Sequence, residues 1–348
     1  YSEVKKLLFA RYDADTDADI DYQFSHKISK HLDKEIVTAN LGSSKKSKKL
    51  IMEEIDFVAE NSEELIADFT FLSTYQLSKK AKELGFTVML SGIGGDEVFA
   101  GYPRYLIPKY HRLIILLHPF FKILLKYNLF PKNMDKKFER LVSYSQERNW
   151  MFSYARLLGY FSGNELSELF TNEHILRSSL EERYSRLNKD LNLRSEDKVR
   201  SALCLDSLGY LSRNLMVADK ASMLASVELR VPLLDERVYF FGSNTSTKLL
   251  IKNGSLKNML KVILNKLLPS YLVKRPKTGF GPPLDGVIRQ LGREFIAKEL
   301  KNLEGYLQLN IIMKIIDDHF NSVANNTYKI WQLLYFSRWL KLHNKGIK

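Results

Sequence analysis

Residues 5–92 alternate two kinds of pattern, and that alternation limits the folds open to the chain. KKLLFARY (5–12) is a short apolar run that reads as a strand. IDYQFSHKISKHL (20–32) then spaces Ile20, Phe24, Ile28 and Leu32 four residues apart, on one face of a helix. EIVTANL (35–41) is β-branched and strand-like, and residues 49–82 read as helix with Gly85 capping the end. FTVMLSG (86–92) is a strand again. Strands that alternate with helices predict an α/β fold, a mostly parallel sheet covered by helices. Residues 106–200 turn helical and aromatic, 201–230 read as one long helical region, and YKIWQLLYFSRWLKL (328–342) reads as a further helix. No repeat or low-complexity linker separates the two parts. The helical part is expected to pack on the sheet as one unit.

The chain of 348 residues is 45% hydrophobic and 27% charged, with 12% aromatics. That composition suits a globular protein with a real core and argues against disorder. The formal net charge of +13 raises nucleic-acid or membrane-surface binding as options. The basic residues are spread along the chain, however, and the densest run, SKKSKK (44–49), has no interleaved aromatics. A solvated lysine-rich surface is the expectation, with neither nucleic acid nor membrane as a partner. LIILLHPFFKILL (113–125) is the most apolar stretch. It is too short to span a bilayer and is interrupted by His118, Pro119 and Lys122, so it reads as a core helix broken at the proline. YSEVKKLLFARYD is no signal peptide. Cys204 is the single cysteine, which excludes a disulfide within the chain and favours a reducing, cytoplasmic setting. It lies in an apolar helical run, SALCLDSLGYL, as a small hydrophobe rather than a nucleophile.

Several familiar sites are excluded. DADTDADID (13–21) places acids at alternate positions, but Ala18 and Phe24 stand where a calcium loop needs glycine and glutamate. No P-loop and no paired histidine ligands occur, and Gly92, Gly94 and Gly95 do not fit GxGxxG. LSGIGGDEVFAGYPRY (90–105) is different. A strand ends in a glycine-rich turn, where open α/β sheets bind ligands. Glycines there let the backbone approach a ligand and offer N–H groups to an anion. Asp96 and Glu97 follow, and a carboxylate beside phosphates suits magnesium; Asp96 as a helix cap is the alternative. In VADKASMLASVELRVPLLDERV (217–238), Asp219, Lys220, Glu228, Arg230 and Asp235 stand among apolar neighbours. They predict an internal ion-pair network, an active-site wall, or both. NGSLKNMLK (253–261) offers Lys257 at a helix start, and VKRPKTGFGPP (273–283) clusters Lys274, Arg275 and Lys277 in a Pro/Gly-rich loop.

Taken in order, these stretches resemble the synthetase domain of the glutamine-dependent asparagine synthetase family. SGIGGDEVFAGYPRY is similar to its SGxGxDExFGGY signature, and ADKASMLASVELRVPLLD to its signature of an acid and base followed by SM, an ExR and a PFLD. GSLKNML matches the stretch with the family's lysine, RPKTGFGPP its RxKxGFGxP loop, and WQLLYFSRWL its tryptophan helix. The resemblance covers residues 5–342.

The resemblance implies a Rossmann-like sheet of the adenine nucleotide alpha hydrolase type over 1–105, and a mainly helical part over 106–348 that completes one synthetase domain. It implies ATP and Mg2+ as cofactors. A carboxylate attacks the α-phosphate of ATP, pyrophosphate leaves, and ammonia displaces AMP from the acyl-adenylate. Asp96 is then the magnesium–pyrophosphate carboxylate, with Glu97 beside it, and Lys257 neutralises developing phosphate charge. Ser91, Gly92, Gly94 and Gly95 contact the nucleotide, supported by Arg275 and Lys277. Ile93, Tyr102, Arg104, Asp219, Glu228 and Arg230 are expected around the substrate. A glutaminase domain or subunit is expected to supply ammonia, and a homo-oligomer is a further option.

Three departures accompany the resemblance. The family's SGGxDSS pyrophosphate loop, expected just before the strand at 5–12, is not in the sequence, and without it little adenylation is expected of this chain alone. The glutaminase domain, with its amino-terminal cysteine, is not in it either. Position 93 is isoleucine, where asparagine synthetases commonly carry glutamate and β-lactam synthetase tyrosine. Aspartate amidation, amidation of another carboxylate such as a surface-polysaccharide sugar acid, and a catalytically silent binding homologue all stay open.

Overall fold

The computed structural model describes residues 4–11, 16–41, 46–62, 64–127, 129, 135–147, 149–161, 163–171, 182, 186–187, 189, 197–273 and 284–343. Strand β1 (Lys6–Arg11), helix α1 (Thr16–Leu32) and strand β2 (Glu35–Asn40) form a right-sized βαβ unit, and β1 runs parallel to β2 with Lys6 opposite Glu35. Helices α2 (Lys48–Asn61) and α3 (Thr70–Glu83) follow, then β3 (Val88–Leu90). The expected helix over 49–82 is therefore two helices. Ser62 closes the first, and the Asp68 carboxylate accepts the Thr70 N–H at 2.8 Å to start the second. Ser47, in the lysine-rich run, caps α2 by accepting the Leu50 N–H. Gly85 leaves α3 at φ 82°, the left-handed exit that glycine permits.

β3 pairs in parallel with β4 (Glu228–Arg230), Val88 opposite Glu228. β4 lies inside the region expected to be one long helix. That region is a helix (Lys198–Asp206), a π-helical turn (Ser207–Leu211), a second helix (Ser212–Leu224) and then β4. Among the described residues the sheet is thus two separate parallel pairs, β1–β2 and β3–β4, rather than one continuous sheet, and the chain is mostly helical. The side of β3 away from β4 has no ladder partner among the described residues, and Val88 and Leu90 are exposed there.

Among the described residues two apolar cores hold the helices. One joins Ile51 and Ile55 of α2, Phe71 of α3 and Ile330, Trp331 and Leu334 of the helix Thr327–His343. Burying each such side chain contributes roughly 1.5–3 kcal/mol. Arg338 ties that helix to α2 through a two-point contact with Asp56, at 2.6 and 2.5 Å. The other core joins Val98, Phe99, Tyr105, Tyr144, Tyr154, Leu203 and Leu250.

LIILLHPFFKILL departs from its expected place in a core. It forms α5 (His111–Leu116) and α6 (His118–Lys126). Of its described apolar residues only Ile114 is fully buried, while Leu113, Leu116, Leu117, Phe120 and Ile123 are exposed. Periodicity defines a stripe on a helix but not the side from which it is covered.

Candidate active site

The ladder of β3 and β4 runs on to the Ser91 N–H, which donates to the Arg230 carbonyl at 2.8 Å. The chain then turns through Gly92, Ile93 and Gly94, and the Ile93 N–H donates to Ser91 Oγ at 3.3 Å. Gly94 sits at φ 90°, and a Cβ there would lie 2.3 Å from Leu234 Cδ2. A Cβ on Gly95 would lie 2.8 Å from Leu233 Cδ1. The leucines of the PLLD stretch thus seat on the glycine turn, and two distant motifs form one wall. The short helix α4 (Gly95–Val98) follows and presents Asp96.

Lys257 meets Asp96 there, with Nζ 3.1 Å from Oδ1. The lysine stands just before the helix Asn258–Leu267, at φ 52°. Asn253 and Gly254, both at positive φ, make the tight reversal ahead of it, the turn that Asn-Gly favours. The Lys252 and Ser255 backbones bond across that reversal in both directions. The Lys257 N–H donates to the Ala100 carbonyl at 3.3 Å, which fixes the lysine over α4. Both charged side chains keep part of their surface in solvent, 32% for Lys257 and 22% for Asp96. An ion pair so placed adds little stability, but its ammonium can exchange a carboxylate oxygen for a phosphate oxygen.

Gly101 was not among the expected site residues. A Cβ there would lie 1.9 Å from Asp96 Oδ1 and 2.2 Å from Lys257 Cε. Only glycine leaves the pair its room. The signal was present in the FAGY tetrapeptide, where Gly101 stands shortly after the two carboxylates, with Phe99 and Ala100 before it.

Glu97 turns away from the pair. It is 2% exposed, and Tyr102 donates its hydroxyl to Oε1 at 2.8 Å. Burial holds this carboxyl above the usual carboxylate range, against the Tyr102 hydrogen bond. Arg104 also points inward. Its guanidinium stacks 3.9 Å over the Tyr102 ring and 4.6 Å over Tyr210, and its Nη2 reaches Asp206 Oδ2 at 2.6 Å. Tyr105 and Tyr154 donate to the same oxygen at 2.6 and 2.9 Å. Asp206 is fully buried at the start of the π-helical turn, and its only sequence signal is an isolated acid in SALCLDSLGYL. Tyr102 and Arg104 thus brace the floor beneath α4.

The expected internal ion-pair network does not join Asp219, Glu228, Arg230 and Asp235. Asp219 is exposed, and Glu228 pairs with Arg230 on the solvent side of β4 at 2.8 Å. Residues two apart on a strand share a face, and this face of β4 is open. Asp235 pairs with Arg237 and caps the next helix, and Lys220 Nζ donates to the Ser62 carbonyl at 3.2 Å. Arg275 and Lys277 lie outside the described residues. Cys204 is half-buried, and burial pushes its thiol up, away from nucleophilic use.

Among the described residues no three or more metal-ligating side chains cluster. One carboxylate is a sufficient protein donor set for magnesium in nucleotide sites, where water and phosphate oxygens supply the rest, so Asp96 fits that ion.

Fold and site define a class: α/β proteins that present an acid–lysine pair and a glycine turn at the carboxyl end of a parallel strand. The family model described as asparagine synthase matches residues 21–341, and the chain belongs to that family. It is 28% identical over 307 residues to the glutamine-hydrolyzing asparagine synthetase 1 of Bacillus subtilis (strain 168), covering 83% of this chain and 45% of that protein. It is 25% identical over 297 residues to a protein of Mycobacterium tuberculosis (strain ATCC 25618 / H37Rv) provisionally named a glutamine-hydrolyzing asparagine synthetase. That match covers 80% of this chain and 42% of the relative. The chain spans less than half the length of these curated relatives.

Proposed function

We propose that the chain is the synthetase part of an ATP-dependent ligase that amidates a carboxylate. The observation that carries this is the Lys257–Asp96 pair at 3.1 Å, held at the carboxyl end of β3 in room left by Gly101. The substrate carboxylate oxygen attacks the α-phosphorus of ATP, and the bond from that phosphorus to the β-phosphate oxygen breaks. Lys257 neutralises charge on the departing pyrophosphate. Ammonia then adds to the acyl carbon and AMP leaves. Bound magnesium supplies charge neutralisation for the phosphates beside Asp96. Ser91, Gly92, Gly94 and Gly95 offer the backbone side of the nucleotide site, and Arg275 and Lys277 its flank.

The parallel strand pairs and the glycine turn support a fold of the adenine nucleotide alpha hydrolase type, with residues 1–105 and 106–348 as its two parts. The relatives' names support glutamine as the nitrogen source through a glutaminase domain or subunit. The single cysteine supports a cytoplasmic location.

Aspartate is the acceptor that the relatives' names favour. Ile93, partly buried beside Ser91, favours a different one, because it can neither ionise nor hydrogen-bond to an amino acid's polar groups. The test is pyrophosphate release by the full-length protein with ATP, magnesium, ammonia and a panel of carboxylates. Release with aspartate and formation of asparagine supports asparagine synthesis. Release with another acid alone moves the acceptor to that acid. No release with any acid overturns the ligase and leaves a silent homologue.

A further inference from the structure

The outward stripe on α5 and α6 has a definite chemistry. Leu113, Leu116, Leu117, Phe120, Ile123 and Tyr127 recur at helical spacing, and all are exposed, Leu116 by 75%. The two helices act as one rod, since the Leu117 N–H donates to the Leu113 carbonyl and the Phe121 N–H to the Leu117 carbonyl, each at 3.0 Å. Its inner side is anchored by Ile114 and by His111, which contacts the Tyr144 hydroxyl at 3.0 Å.

Cations border the stripe along one flank. Arg112, Lys122 and Lys126 each precede a stripe residue by one position, and Lys109 precedes the exposed Tyr110. At the two ends Lys109 and Lys126 lie 5.6 Å from the Tyr110 and Tyr127 rings. From Val98 to Met134 the sequence contains no Asp or Glu and six Lys or Arg. Beside the rod a cleft of about 560 Å³ is lined by His111 and Arg112 on one wall and by Trp150 and Lys198 on the other. Burial and the charge of Arg112 both lower the Lys198 pKa, so two cations face this cleft, and none of its described lining residues is an acid.

We propose that this face docks on an anionic lipid surface, with the apolar stripe in the headgroup–acyl boundary and the cation row on the headgroups. An amphipathic helix with aliphatic and aromatic residues on one side and Lys or Arg on the other lies in that plane. Tyrosines at its two ends sit at headgroup level, and the Arg112–Lys198 cleft receives a headgroup phosphate. A second copy of this chain is disfavoured: an antiparallel two-fold contact would bring one cation row against the other, and either orientation would set two chains of net charge +13 face to face. No helix among the described residues is long and apolar enough to cross a membrane, so the contact is one of lying on the surface. This departs from the sequence-based expectation of no membrane partner, which followed from the spread of basic residues along the chain and from reading 113–125 as a core helix.

The test is co-sedimentation of the full-length protein with vesicles of phosphatidylcholine alone and of phosphatidylcholine mixed with phosphatidylglycerol. Wild type is expected to pellet with the mixed vesicles only, and less so as salt is raised. Lys122→Glu and Lys126→Glu are each expected to lower partitioning by at least roughly fivefold. The pair Leu116→Asp and Phe120→Asp should abolish it while leaving the melting temperature unchanged, since both side chains are exposed. If the aspartate variant also loses thermal stability, Leu116→Ser decides, with retained binding overturning the proposal. Four results overturn it outright: no binding by wild type, equal binding of wild type to neutral and to mixed vesicles, equal binding by the aspartate variant and wild type, or a fall in molecular mass in the aspartate variant that marks the face as a protein contact.

Discussion

The Lys257 N–H donates to the Ala100 carbonyl at 3.3 Å, and both residues hold left-handed backbone, at φ 52° and 55°. Neither is glycine, so each stores about 1 kcal/mol or more of strain that the surroundings must overcome. Strain of this kind concentrates where a side chain has to be aimed, and here it aims an ammonium at a carboxylate. Ala100 is fully buried and stands where the related signature has glycine. Ala100→Val forces a β-branched residue into this conformation and overpacks the site. It is expected to destabilise the protein by about 3 kcal/mol, read from urea unfolding.

Gly101→Ala is expected to separate Asp96 from Lys257, because the added methyl occupies the space of both. A displacement of about 1 Å at such a site costs on the order of 100-fold in rate. Pyrophosphate release should fall by that factor. Circular dichroism and the unfolding midpoint should change far less.

Lys257→Ala and Asp96→Asn are each expected to lower pyrophosphate release about 100- to 1,000-fold, the usual effect of removing one group that meets developing charge. Lys257→Arg should recover little, since the pair leaves no room for a planar guanidinium beside Gly101. Unchanged turnover in either of the first two variants would remove the pair from the chemistry.

Glu97 predicts a pH dependence of stability with a definite sign. Burial raises its carboxyl above the ordinary value, so the folded chain keeps this proton where the unfolded chain has lost it. Its stabilising contribution is full below the unfolded pKa of about 4.3 and is lost as pH rises through the raised folded value. Glu97→Gln keeps an oxygen to accept the Tyr102 hydroxyl and should flatten that loss. Unfolding midpoints of both proteins between about pH 4 and 7 test it, and parallel curves would show that Glu97 does not titrate in this way.

Arg104→Ala should be among the more damaging single changes outside the pair. It leaves Asp206 buried with two tyrosine hydroxyls and no cation. Removing one partner of a buried ion pair costs about 3–5 kcal/mol. Asp206→Asn in the Arg104→Ala background should recover part of that, a coupling that a double-mutant cycle measures.

Much of the site was legible because its motifs are local. The turn at 91–95, Asp96 and the Asn253-Gly254 reversal ahead of Lys257 each announce themselves in a few residues. The strands at 6–11 and 35–40 and the helix at 327–343 followed from composition and spacing. What escaped depended on packing. Glu97 and Arg104 turn inward because Tyr102, Tyr105, Tyr154 and Asp206 converge from separate elements to meet them. Glu228 and Arg230 were read as buried because their neighbours are apolar, yet a three-residue strand with one open face leaves both outside. Gly101 looked like one glycine among several until a side chain was found to need its space.

The unpartnered side of β3 carries a further consequence. Val88 and Leu90 are exposed beside backbone N–H and C=O groups that no described strand engages. A short apolar edge of this kind is a template for recruiting any extended segment that meets it. Whatever shields that edge sets the colloidal behaviour of the protein, and a charged residue at Leu90 would act as a gatekeeper against self-recruitment while leaving the Asp96–Lys257 pair untouched.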